Sequence, residues 1–185
     1  MISYYLSLVE TEEDKEKVEY IYNNFNSFMS YTAGEVLKHN KHDVEDAVQN
    51  AKVVIIENLD IIDITDYQRV RNLCGIIAKN KAKDYCKLKD NQAASLDDTT
   101  LETLSSKELN PEGIVLQNDT YEIVLKAIYS LDEKYRDVCI LKYVNGYKER
   151  EIAVFLDLPT KTVSTRIFRG KNILRDALRK EKLHV

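Results

Sequence analysis

The sequence predicts an all-α protein: two small helical domains, residues 1–90 and 120–185, joined by a flexible acidic linker over 91–119. Three observations point there. Glycine occurs 5 times and proline 2 times among 185 residues, so little interrupts a long helix. Apolar residues recur at spacings of three and four, and no apolar–polar alternation persists as a strand would need. Between two apolar blocks lies a stretch rich in Ser, Thr, Asn and acid, too long and too polar for an ordinary connection.

The elements follow in order. Val18, Ile21, Tyr22, Phe25, Phe28 and Met29 share one face of a first helix. After "KHNKHD" a second helix begins, with Asp43 as its expected N-cap and Val44, Ala47, Val48, Ala51, Val54 and Ile55 as its stripe. The segment from Asn58 to Tyr67 breaks its apolar residues with acids, which suits a loop packed along one edge. A third helix over 68–88 carries Val70, Leu73, Cys74, Ile77 and Ala78 on one face. Beyond the linker, helices are expected over 121–129 and 132–143. The next helix buries Ile152, Ala153 and Leu156. It ends at "DLP", because the residue before Pro159 is pushed out of the α region and Pro159 suits the start of another helix. The last helix has a stripe of Val163, Ile167, Gly170, Leu174, Ala177 and Leu178. Glycine at 170 costs about 1 kcal/mol against alanine; a neighbouring helix approaching closely would explain it.

Composition excludes several classes. Apolar residues make up 44% and charged residues 31%, enough for a packed core. No apolar run approaches the roughly 18 residues that cross a bilayer, and "MISYYLSLVE" lacks the basic start of a signal peptide. No membrane contact is expected, and the expected compartment is the cytoplasm. Cys74, Cys86 and Cys139 are odd in number and form no CxxC, so they read as free thiols. The three histidines are scattered, and no metal site is expected. There is no P-loop, HExxH or serine elbow, and Asp97 and Asp98 read as solvating charge in the linker. The chain therefore reads as no enzyme, without catalytic residues or cofactor.

Net charge is −4, yet it is unevenly spread. Residues 1–90 carry 12 basic and 16 acidic side chains, 91–120 carry 1 and 6, and 121–185 carry 14 and 9. From Pro159 onward the count is 8 basic to 2 acidic. A partner feels this local field rather than the total. At about 100° per residue, Thr162, Thr165, Arg166 and Arg169 fall together beside the apolar stripe of the last helix. That is the arrangement of a helix-turn-helix: one side packs on the preceding helix, and the adjacent side is free to enter a major groove. Short hydrogen-bonding side chains there can reach base edges, and the basic ones suit phosphates. The same pattern also fits a solvated basic face on a plain helical hairpin, and periodicity alone leaves both open.

Longer motifs narrow the choice. Leu131-Asp132 with Arg136, then Gly146, Glu151-Ile152-Ala153, Leu156-Asp157-Leu158-Pro159, Thr162-Val163-Ser164-Thr165-Arg166 and a basic tail with Arg169 and Lys171 stand in one series. This block resembles the C-terminal domain of bacterial RNA polymerase sigma factors of the extracytoplasmic-function (ECF) subgroup. The first block is similar to the same family: "DVEDAVQNAKVVIIENL", from Asp43 to Leu59, looks like its "AEDLVQETFLRLWENL" helix, and "IAKNKAKDY", from Ile77 to Tyr85, like its "IARNxAxDxxR" helix.

The resemblance implies an alternative sigma factor whose partners are core RNA polymerase, promoter DNA and an anti-sigma factor. Thr160, Lys161, Thr162, Ser164, Thr165, Arg166, Arg169 and Lys171 would then serve the minus-thirty-five element. Asp60, Asp63 and Tyr67 in the loop, with Lys79, Asn80 and Lys83 on the helix after it, would serve the minus-ten element, where an extruded base can be read. Asp46, Gln49 and Asn50 would bind polymerase, with Asp43, Glu45 and Lys52 at the rim. The acidic linker would run towards the RNA path. Departures are equally specific. Leu73 stands where the family usually has an aromatic wedge, which leaves Tyr67 as the nearest substitute, and the loop after Leu59 is longer by about two residues. Gly146-Tyr147-Lys148 replaces the usual Gly-Leu-Ser, so the serine cap is missing. The rival readings are a stand-alone helix-turn-helix regulator, which leaves residues 43–85 without a role, and a helical adaptor without DNA.

Overall fold

The structure, a computed structural model, describes residues 2–94 and 119–182. The chain divides into two compact units, Met1–Ser106 and Lys107–Val185. Most of the expected linker, residues 95–118, lies outside the described residues.

In the first unit, α1 (Ile2–Leu6), α2 (Glu12–Leu37), α3 (Lys41–Ile56) and α4 (Tyr67–Ala94) follow one another, with a 3-10 turn at Leu59–Ile61. Thr11 caps α2: its Oγ1 accepts the Asp14 N–H at 3.0 Å, and Glu12, Glu13 and Asp14 complement the helix dipole. The cap of α3 is Asn40, not Asp43. Asn40 Oδ1 accepts the Asp43 N–H at 3.4 Å, so Asp43 sits in the first turn and its carboxylate is available elsewhere.

The core is where α2, α3 and α4 meet, with Phe25, Met29, Ala51, Ile55, Leu73 and Ile77 fully buried. The single face expected for α4 proves too narrow. Every residue from Leu73 to Lys79 is buried, because α4 packs against both α2 and α3. The helix also extends to Ala94, past the expected end at 88 and into the stretch expected as linker.

The second unit holds α5 (Asp119–Tyr129), α6 (Glu133–Cys139), α7 (Glu149–Leu156) and α8 (Thr160–Lys182). Asp132 caps α6, accepting the Lys134 N–H at 3.1 Å. The helix expected to reach residue 143 widens after Cys139 into a π turn, Ile140–Val144. This turn keeps Ile140 and Leu141 inside while Tyr143 reaches solvent.

Cys74, Cys86 and Cys139 are free thiols. Burial pushes Cys74 up to about 12 and Cys139 up to about 11, so both are protonated and unreactive near neutral pH. Among the described residues no helix is long and apolar enough to cross a membrane.

Candidate nucleic-acid and polymerase interface

The break between α7 and α8 sets the site. Gly146 turns the chain with φ 83, a left-handed conformation that a side chain would strain. Tyr147 then packs edge-on against Phe155, ring centroids 5.0 Å apart, which fixes the entry of α7. Lysine at the N-cap, position 148, has no acceptor to offer. Glu151 supplies half of a capping box instead, its Oε2 accepting the Lys148 N–H at 2.8 Å. At the other end Asp157 adopts φ 51, and the Leu158 N–H donates to the Ala153 carbonyl at 3.0 Å. Pro159 opens the next turn, its carbonyl accepting the Thr162 N–H at 2.8 Å.

Val163, Ile167, Gly170 and Leu174 face inward, as the period requires. A Cβ at Gly170 would lie 2.6 Å from Cys139 Sγ, so α6 crosses α8 at this glycine. Thr162, Thr165, Arg166 and Arg169 are left outside the packed stripe, and they line one open groove with Lys161 and Pro159. Its other wall comes from α6: Lys134 and Tyr135, the ammonium 5.0 Å from the ring centroid. Neither stands out in the sequence pattern. Their signal was the Asp132 cap, which places them in the first turn of α6. Nor does Phe168. It is 65% exposed on α8, an aromatic that the core does not use.

Two of the expected base-reading hydroxyls are engaged within the protein. Ser164 Oγ donates to the Glu149 carboxylate of α7 and lies 3.1 Å from the Thr160 carbonyl. Thr165 Oγ1 donates back to the Lys161 carbonyl at 2.8 Å but remains exposed. Thr160, Lys161, Arg169 and Lys171 are exposed, and Thr162 and Arg166 are half-buried along the groove wall.

In the first unit, α3 presents Glu45, Gln49 and Asn50 to solvent, with Asp46 half-exposed and 3.2 Å from His42 Nδ1. Asp43 does not join that row. It is buried, and its Oδ2 accepts from Lys89 Nζ of α4 at 2.6 Å. Lys52, expected at the rim, is 6% exposed. Its ammonium lies 4.6 Å from the ring centroid of Tyr22 and 5.2 Å from that of Tyr5, and burial lowers its pKa. It is a core residue under α1, not a surface cation.

The loop before α4 is anchored by buried Ile62. Asp63 accepts the Thr65 N–H at 2.9 Å, which lowers its pKa, and Asp66 accepts the N–H groups of Gln68 and Arg69. Asp60 and Asp63 are exposed. Tyr67 stands at the loop's end, 48% exposed, with one side against Phe25 at 4.9 Å. Asn80 and Lys83 are half-buried, but Lys79 is 3% exposed and lies inside. Leu73, at the usual aromatic's position, is fully buried and cannot act as a wedge from there.

The family model for sigma-70 region 4 matches residues 121–174. Over 147 residues the chain is 31% identical to the ECF RNA polymerase sigma factor SigW of Bacillus subtilis (strain 168), spanning 76% of this chain and 78% of that protein. The chain belongs to the ECF RNA polymerase sigma factors. The ECF sigma-E factor of Escherichia coli (strain K12) is similar as well, 32% identical over 141 residues, 71% of this chain and 72% of that one. A likeness at 18% identity and a TM-score of 0.42 links 89% of this chain with 98% of the sigma factor RpoE of Bartonella quintana, solved with the anti-sigma factor NepR. As an ECF sigma factor, the protein is a transcription initiation factor. The region 4 match takes in α5, α6, α7 and α8 up to Leu174, and α8 runs on to Lys182.

Proposed function

We propose that this ECF sigma factor binds core RNA polymerase through the exposed row of α3, Asp46, Gln49 and Asn50, and delivers it to promoters read at two elements. The groove along α8 reads the minus-thirty-five duplex. Thr162 and Thr165 address base edges, while Arg166, Arg169 and Lys134 hold phosphates. The loop from Asp60 to Tyr67, with Asn80 and Lys83, takes the minus-ten strand. Lys52, Lys79 and Asp43 support these faces from inside.

The observation that carries this reading is the groove itself: five polar or basic side chains of α8 left outside the buried stripe from Val163 to Leu174, faced by a cation and an aromatic from α6. The protein directs a catalyst and performs no chemistry of its own, and it acts in the cytoplasm, where the polymerase is. Around Asp46, the exposed Gln49, Asn50 and Val53 offer a mixed polar and apolar surface that suits an anti-sigma partner competing with polymerase.

Run-off transcription with purified bacterial core polymerase on promoter fragments tests the whole. Arg166→Ala with Arg169→Ala should abolish promoter selection and spare core binding. Asp46→Ala with Gln49→Ala should abolish core binding. Transcription unchanged by either pair would sink the reading.

A further inference from the structure

The C-terminal half of α8 carries a second basic feature, on a different side of the helix from the groove. Lys171, Arg175 and Arg179 stand four residues apart, all exposed, and with Leu174 and Leu178 they line a shallow groove. Four-residue steps advance about 6 Å along the axis and turn about 40° around it. The row therefore climbs roughly 12 Å and winds from the α7 side onto the outward face that carries Lys161 and Thr165. Its only carboxylate neighbour among the described residues is Asp176, 3.5 Å from Arg175 Nε and itself exposed. Such an exposed pair is weak and yields readily to a stronger anion.

Length gives this row its partner. α8 has 23 residues, about 34 Å of helix, against a major groove roughly 12 Å wide. A helix entering that groove by its N-terminal half carries its C-terminal half out across the sugar-phosphate backbone. We propose that Lys171, Arg175 and Arg179 form a phosphate-binding ridge for duplex DNA flanking the minus-thirty-five element, adding affinity without sequence choice. The proposal rests on α8 being the DNA-reading helix, and it extends the interface beyond Leu174, where the region 4 match stops. An acidic protein surface is the other anion this row could meet. The row ends on the outward face that carries Lys161 and Thr165, which favours DNA.

The test measures promoter binding by reconstituted holoenzyme between 50 and 200 mM salt. The fragments are a long one and one trimmed to end at the minus-thirty-five element, each with the native or a scrambled element. Loss of two phosphate contacts makes the log–log salt slope shallower by about 1.8. Across that salt range, wild-type affinity should then fall about tenfold further than that of Arg175→Ala with Arg179→Ala. The difference should appear on long fragments of either sequence, vanish on the trimmed one, and be absent for Arg175→Lys with Arg179→Lys. A wild-type slope in the alanine pair on the long fragment overturns the ridge. So does loss of core polymerase binding with the slope intact, which would assign the row to a protein. If Arg166→Ala with Arg169→Ala leaves preference for the native element unchanged, the reading of α8 itself has failed, and not the ridge alone.

Discussion

The Ser164 hydroxyl donates to the Glu149 carboxylate, and this bond ties α8 to the helix before it. A residue that the motif places towards DNA therefore holds the two helices at their angle. Ser164→Ala removes a half-buried hydrogen bond to a charged acceptor, worth about 1–2 kcal/mol. Thermal unfolding should register that loss, while selection among randomised minus-thirty-five elements returns the same preferred bases. A changed base preference would put Ser164 back on the reading face.

Gly170 should resist alanine for a reason its propensity hides. A helix interior gains about 1 kcal/mol from Gly→Ala, but the new methyl would meet Cys139 Sγ at 2.6 Å in a packed core. Overpacking of that kind costs about 1–3 kcal/mol. Gly170→Ala is expected to be neutral to destabilising alone, and stabilising in a Cys139→Ala background. Equal effects in both backgrounds, measured by urea unfolding, would refute the close crossing.

Tyr67 is the exposed aromatic nearest the place where the family has its wedge. One side of its ring rests on Phe25 and the rest faces solvent. Tyr67→Ala should slow promoter opening, followed by permanganate reactivity of unpaired thymines, at least tenfold more than it slows duplex binding. Tyr67→Phe keeps the ring and should retain opening. If Tyr67→Ala opens promoters normally, another side chain separates the strands.

Asp43 and Lys89 give the first unit an acid limit. The hydrogen bond from Lys89 holds the Asp43 carboxyl below its ordinary value, ahead of any opposing effect of burial. The folded state thus binds that proton less tightly than the unfolded chain. The stabilisation is present above the ordinary carboxylate range and is lost as pH falls through the lower, folded value. Asp43→Asn should lower the urea midpoint at pH 7 and flatten its decline below about pH 4. Parallel acid limbs for the two proteins would show that the pair contributes nothing.

Lys52 separates a structural role from a binding one. Lys52→Ala removes an aliphatic stem and a cation seated between two tyrosine rings, so it should destabilise the first unit by about 2 kcal/mol. Affinity of the folded variant for core polymerase should be unchanged. A specific loss of polymerase binding with normal stability would restore Lys52 to the interface.

Local chemistry placed the helices. The spacing of Val18 to Met29, the turn at "DLP" and the stripe from Val163 to Leu174 each depend on neighbours within a few residues, and the chain folds them as its pattern says. Even the odd glycine at 170 announced a close helix, although not which one. Motif order carried family membership, because a series of residues across both blocks is hard to assemble by chance. The cap of α3 was not legible: Asp43 has a capping side chain, but the backbone uses Asn40, three residues earlier.

Burial of the charged residues was decided only in three dimensions. Period 3.6 names the face of a helix but not how many faces its neighbours cover. α4 is wrapped by α2 and α3, so Lys79 ends inside, and α1 folds Tyr5 over Lys52 from the far end of the unit. The Ser164 hydroxyl meets Glu149, and Lys134 and Tyr135 line the groove because α6 crosses at Gly170. These outcomes depend on pairs distant in sequence, whose meeting is set by packing rather than by any local preference.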